Sequence, residues 1–190
     1  QHFVADLNLY QQSFMQGFDL AYGKIHNTCV IALLPNYLEQ GDSSLIYMID
    51  SLIEQSGHSK SGFYLNDKNE LLTTLSELKK SNTKTLLIGV TYALLDFIEQ
   101  QKIDFENLII METGGMKGRR KEIVREELHA LLCEGFGVSK IHSEYGMTEL
   151  LSQAYSCGNG VFNTPAWMKI LTREISDPLS LCKENKTGGI

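Results

Sequence analysis

Hydrophobic positions along the chain switch repeatedly between a helical period and short continuous runs. Leu7, Tyr10, Phe14 and Phe18 recur at helical spacing and predict an amphipathic helix over 4–21. The run TCVIALL at 28–34 is continuously apolar and stops at Pro35, as a parallel strand covered on both faces would. Ser43 and Ser44 can cap a helix whose face carries Leu45, Ile46, Ile49, Leu52 and Ile53, with Gly57 closing it. A second strand is predicted at 62–65. A helix follows that is capped by Asp67, runs to Lys79, and carries Leu71, Leu72, Leu75 and Leu78. TLLIGV at 85–90 predicts a third strand, leading into a helix over 92–100, and 108–111 a fourth. Gly114, Gly115 and Gly118 then form a turn before a helix over 119–134, marked by Ile123, Val124, Leu128, Leu131 and Leu132. The fifth strand is predicted at 139–142. Short strands at 154–156, 161–162 and 168–172 follow, separated by Gly, Asn and Pro turns.

Strands separated by helices of about a dozen residues imply right-handed crossovers and a mostly parallel sheet flanked by helices. The expected fold class is therefore α/β, with a core over 1–150 and a more β-rich tail over 151–190. Length and composition narrow the function. At 190 residues the chain is long enough for one real core, and its net charge of −6 argues against a general nucleic-acid binder. No apolar run approaches the roughly 18 residues that cross a bilayer. No basic start leads into an apolar stretch, so no membrane span and a cytoplasmic location are expected. Cys29, Cys133, Cys157 and Cys182 are widely spaced and read as reduced thiols. Asn185-Lys186-Thr187 matches a glycosylation sequon and reads as chance without a secretory signal. Because the chain starts at Gln1 rather than Met, it is expected to be a piece of a longer protein.

The common nucleotide fingerprints are missing. Gly135 and Gly137 lack the third glycine of a dinucleotide turn. The stretch from Gly17 to Lys24 is one residue too long for a phosphate loop, and Ile25 stands where Ser or Thr is required. Glu126-x-x-His129 has half the spacing of a di-iron site and reads as a solvated helix face.

Two strand-end stretches carry more chemistry. In the first, Gly114 and Gly115 would let a backbone approach a flat ring or phosphate, and Lys117, Arg119 and Arg120 beside a helix start would favour an anion. The bland alternative is a loop needing positive φ beside solvated charge. In the second, Tyr145 offers an aromatic face, Gly146 a close backbone approach, Thr148 a hydroxyl, and Glu149 a hard oxygen ligand for Mg²⁺. The alternative there is a strand-helix turn with Thr148 as helix cap. His142 reads as hydrogen-bonded structure or as a base. Trp167 and Met168 read as packing of the tail.

Tyr145-Gly146-Met147-Thr148-Glu149 resembles the Y-G-x-T-E motif of the adenylate-forming enzymes, and Gly114-Gly115 resembles the strand-end glycine pair of that superfamily. The blocks LLPNYLEQGDSSLIYMID, SGFYL, LLIGVTYALLDF, METGGMKGRR, SEYGMTELLSQAYS and PAWMKILTRE are similar to the acyl-protein synthetase (LuxE-type) family within it. The resemblance covers essentially the whole chain. It implies part of the large domain of an enzyme that uses ATP and Mg²⁺ to turn a carboxylic acid, in this family a fatty acid, into an acyl-adenylate. The acyl group then passes to a protein cysteine or coenzyme A. A fatty-acid reductase is an implied partner.

The resemblance further implies adenine between Gly114-Gly115-Met116 and the ring of Tyr145, with Gly146 and Met147 completing that turn. Thr148 would bind the α-phosphate, Glu149 would bind Mg²⁺, and Tyr37 would line the acyl pocket. The family's phosphate loop would precede Gln1. Its ribose-binding aspartate and lid domain would follow Ile190, so the piece alone is expected to be nearly inert. An aryl-coenzyme A ligase and a non-catalytic binding module on the same scaffold are the alternatives.

Overall fold

A computed structural model describes residues 3–35, 43–105, 107–116, 118, 120–183 and 186–189. Helix α1 spans Leu7–Tyr22, with Asp6 accepting the Asn8 N–H as its cap. Strand β1 is Cys29–Leu33 and α2 is Ser44–Ser56, capped by Ser43 and closed by Gly57 in the left-handed region. Strand β2 is only Gly62–Phe63. Helix α3 is Lys68–Lys80, where the Asp67 carboxylate accepts the Glu70 N–H at 2.8 Å. Strand β3 is Thr85–Gly89, α4 is Thr91–Ile98, β4 is Leu108–Glu112 and α5 is Arg125–Phe136. Strand β5 is His142–Gly146, and β6 is Gln153–Ser156.

The chain folds as α/β around a six-stranded sheet of order β2-β1-β3-β4-β5-β6. Strands β1 to β5 are parallel and β6 returns antiparallel to β5. Helix α1 packs on α2, and α4 packs on α5. With right-handed crossovers, α2 covers one face as the chain steps from β1 to β2. Helices α3, α4 and α5 cover the other as it steps back across the sheet. Strands β1 and β3 are buried at every position, which explains their unbroken apolar sequences. Tyr10, Phe14 and Tyr47 pack as an aromatic group between α1 and α2, and Phe97 stacks on Phe136 between α4 and α5. Gly135 lets those last two helices meet. A Cβ there would stand 2.5 Å from Ile98 Cβ.

Three expectations shift. The helix expected over 119–134 begins at Arg125, six residues later. A like-charged run at the start would oppose the helix dipole, the adjacent β-branched Ile123 and Val124 are poor helix formers, and Arg120 instead pairs with Asp96 of α4 and with Glu99, which caps its end. The fifth strand starts three residues and ends four residues later than expected, because its last residues pair with β6. Glu144, Tyr145 and Gly146 are therefore strand residues rather than a loop. Beyond β6 the described tail holds only isolated bridges, Tyr155 with Asn163 and Arg173 with Leu181 and Gly189, in place of the expected strands at 161–162 and 168–172. Met168 is buried, whereas Trp167 is partly exposed and its Nε1 donates to Ser13 and Ser152. Among the described residues no helix is long and apolar enough to cross a membrane, and the four cysteines are free.

Candidate functional site

In an open parallel sheet, ligands bind beyond the carboxyl ends of the strands. Both sequence motifs lie at that edge, on neighbouring strands: the first follows the end of β4, and the second begins in the last two residues of β5. Glu112 of β4 is paired with Ser143 of β5. Two residues past each stand Gly114 and Tyr145.

The Gly114 turn is anchored on both sides. The Thr113 N–H donates to the Gly89 carbonyl at 3.1 Å, and the Gly114 N–H donates to Glu112 Oε2 at 2.7 Å. Gly114 and Gly115 both have φ of +78°, in the left-handed region that a side chain rarely adopts. Among the described residues nothing lies within 4 Å of where a Gly114 Cβ would be, so the turn needs glycine for its backbone rather than for a close approach. Met116 is different. Its side chain is 2% exposed and belongs to the core, so only its backbone is available to a ligand.

Tyr145 pairs with Ala154 of β6, and its half-buried ring meets Phe162 edge-on with centroids 6.1 Å apart. Gly146 is exposed beside Glu144. A Cβ on Gly146 would lie 2.6 Å from Glu144 Oε1. Glu144 is half-buried, and burial, followed by the charge of Glu112, pushes its carboxyl up to about 8.

Thr148 opens a single 3-10 turn, Thr148–Leu150, in the connection between β5 and β6. It is not a cap, because Met147 occupies that position. Its hydroxyl lies 3.0 Å from the Ser44 hydroxyl at the first residue of α2. A helix start carries unpaired amides and favours negative charge, so the surroundings of Thr148 suit a phosphate oxygen. Glu149 and Met147 are exposed on the same connection. Among the described residues no three acidic, His or Cys side chains gather as a metal-binding group. A lone exposed carboxylate such as Glu149 could offer Mg²⁺ a hard oxygen.

No helix starts beside Arg120 among the described residues. The helix begins further on with Glu126 and Glu127 in its first turn, and Arg120 is committed to Asp96 and Glu99. Lys117, Arg119, Tyr37 and Asn185 lie outside the described residues. His142 is buried with Nδ1 3.2 Å from the Tyr22 hydroxyl, and burial together with the Lys140 charge pushes its pKa down to about 4. That imidazole stays neutral near pH 7 and suits the structural reading over the base. His129 also departs from expectation. It turns inward, with Nε2 3.7 Å from Glu112 Oε1, while Glu126 stays exposed. A cavity of about 410 Å³, lined by Lys84, Leu108, Lys140 and His142 among others, opens at the amino ends of the strands, opposite the motifs.

Sequence reasoning missed the polar group beneath both motifs, formed by Glu112, Arg125 and Ser143. Its one visible signal was an acid closing the apolar run LIIME. No protein-family model matches this chain, and no curated protein matches it.

Proposed function

We propose that the chain is the nucleotide-binding part of an enzyme that activates a carboxylic acid with ATP and hands the acyl group to a thiol. The observation that carries this reading is the adjacency of the two motifs: the Gly114 turn follows the carboxyl end of β4 and Tyr145 lies near the carboxyl end of the neighbouring parallel strand β5, in register through Glu112 and Ser143. The resemblance to the acyl-protein synthetases names the reaction.

In that reaction the substrate carboxylate attacks the α-phosphorus of ATP, the bond to the β-phosphate oxygen breaks, and pyrophosphate leaves. A thiol then attacks the acyl carbon of the mixed anhydride and releases AMP. Two anions must meet, so the protein's main task is to place donors and neutralise charge. Gly114, Gly115 and the Met116 backbone form one side of the base site and the Tyr145 ring the other. Thr148 donates to the α-phosphate. Mg²⁺, held by Glu149, would neutralise phosphate charge.

The test is carboxylate-dependent exchange of pyrophosphate into ATP by the full-length protein with Mg²⁺. Exchange is expected with a fatty acid, and its absence with every fatty and aryl acid tried would overturn the proposal. Glu149→Ala should abolish exchange while leaving the circular dichroism spectrum unchanged. Full exchange in that variant would remove Glu149 from the metal role. A binding module on the same scaffold is the second reading. It predicts AMP binding without exchange.

A further inference from the structure

Glu112 ends β4 with 3% of its surface exposed. A carboxylate withdrawn from water persists only where donors satisfy it. Its Oε2 accepts the Gly114 N–H at 2.7 Å, and its Oε1 accepts Arg125 Nη1 at 3.0 Å. The Thr91 hydroxyl lies 3.5 Å from Oε2, and His129 Nε2 stays at 3.7 Å, beyond hydrogen-bond reach. The same Arg125 Nη1 donates to Ser143 Oγ at 2.8 Å. The Arg125 guanidinium also lies 5.2 Å over the Phe162 ring, which meets the Tyr145 ring edge-on. One carboxylate is thus bonded directly to the glycine turn and, through one guanidinium, to the strand and ring that hold Tyr145.

We propose that Glu112 and Arg125 are a positioning pair that sets the gap between the Gly114 backbone and the Tyr145 ring, and that this gap selects a flat purine base. The inference rests on the nucleotide reading above and adds residues that touch neither phosphate nor acid. Arg125 supplies two linked contacts from one planar group, which a lysine point charge does not reproduce.

The experiment compares binding of AMP and of ribose 5-phosphate to the full chain and to its Glu112→Gln and Arg125→Ala variants, with hydrogen exchange at the Gly114 amide measured in parallel. Glu112→Gln retains an acceptor for Gly114 but turns an amide against the Arg125 donor. Truncating Arg125 takes a donor from the buried Glu112 carboxylate, so that variant is read alongside its circular dichroism spectrum, and Glu112→Gln, which removes the charge itself, is the arm that keeps the test decisive. The wild-type chain should prefer AMP. Each variant should lose roughly tenfold in AMP affinity, with ribose 5-phosphate unchanged. The double variant should be no weaker than either single one, since both cut the same link. Exchange at Gly114 should quicken in both variants. An intact AMP preference in both variants overturns the inference while the nucleotide reading stands, and so does an equal loss of both probes. If the wild-type chain binds no AMP, the nucleotide reading itself falls, and the base-selecting role falls with it.

Discussion

Replacing Glu144 with Gln should change how stability depends on pH. In the folded chain the Glu144 carboxyl is raised from 4.5 to about 8, chiefly by burial and then by the charge of Glu112. The unfolded chain releases the same proton near the ordinary value. Between these two points the folded state holds a proton that the unfolded state has lost, so stability falls as the pH rises from 4.5 to about 8. Below 4.5 both states are protonated and the group adds no slope. At about 1.36 kcal/mol per pH unit, the fall between pH 4.5 and 7 has an upper limit of ~3 kcal/mol, and solvent screening of a half-buried group brings it to about 1–3 kcal/mol.

His142 works in the opposite direction. Its pKa, pushed down from 6.5 to about 4 by burial and Lys140, makes stability rise as the pH climbs through that interval. That contribution is common to both proteins and cancels in their difference. Urea denaturation at pH 5, 6, 7 and 8 should therefore show the Gln variant gaining on the wild type as the pH rises. Parallel curves, or a wild type that gains on the variant, would refute the reasoning.

Two further substitutions test the frame. Gly135→Ala places a Cβ 2.5 Å from Ile98 Cβ, so α4 and α5 must separate. Urea denaturation should show a loss of ~1–2 kcal/mol despite the better helix propensity of Ala, and a variant more stable than the wild type would refute the close contact. Asp67→Ala removes the acceptor of the Glu70 N–H at 2.8 Å and should cost about 1 kcal/mol, whereas Asp67→Asn should retain most of it. Identical denaturation midpoints for the two variants would refute the cap.

Much of the frame was legible from local signals. Asp67 and Ser43 announced their helices by chemistry that acts within three residues, and Gly57 closed α2 as its position implied. The unbroken apolar runs of β1 and β3 reported burial on both faces. What misled were features decided by distant partners. The start of α5 depends on Arg120 finding Asp96 and Glu99, more than twenty residues back. The placement of β5 depends on β6, a strand that follows it and reverses direction. At the candidate site, the residue types at Gly114, Tyr145 and Thr148 were visible in one dimension. The carboxylate-guanidinium bond beneath them joins Glu112 to Arg125 across a loop with no periodicity to betray it.

Helix α5 carries a consequence for which sequence changes the molecule can absorb. It is a strut fastened near both ends: Arg125 grips Glu112 at one, and Gly135 seats against Ile98 at the other. The fasteners are ten positions apart, about 15 Å of axial rise. Inserting or deleting a single residue between them would rotate one fastener by about 100° relative to the other, whatever residue were chosen. Length variation should therefore be forbidden inside the strut, so that the spacing from Arg125 to Gly135 is as much a constraint as the identity of either residue.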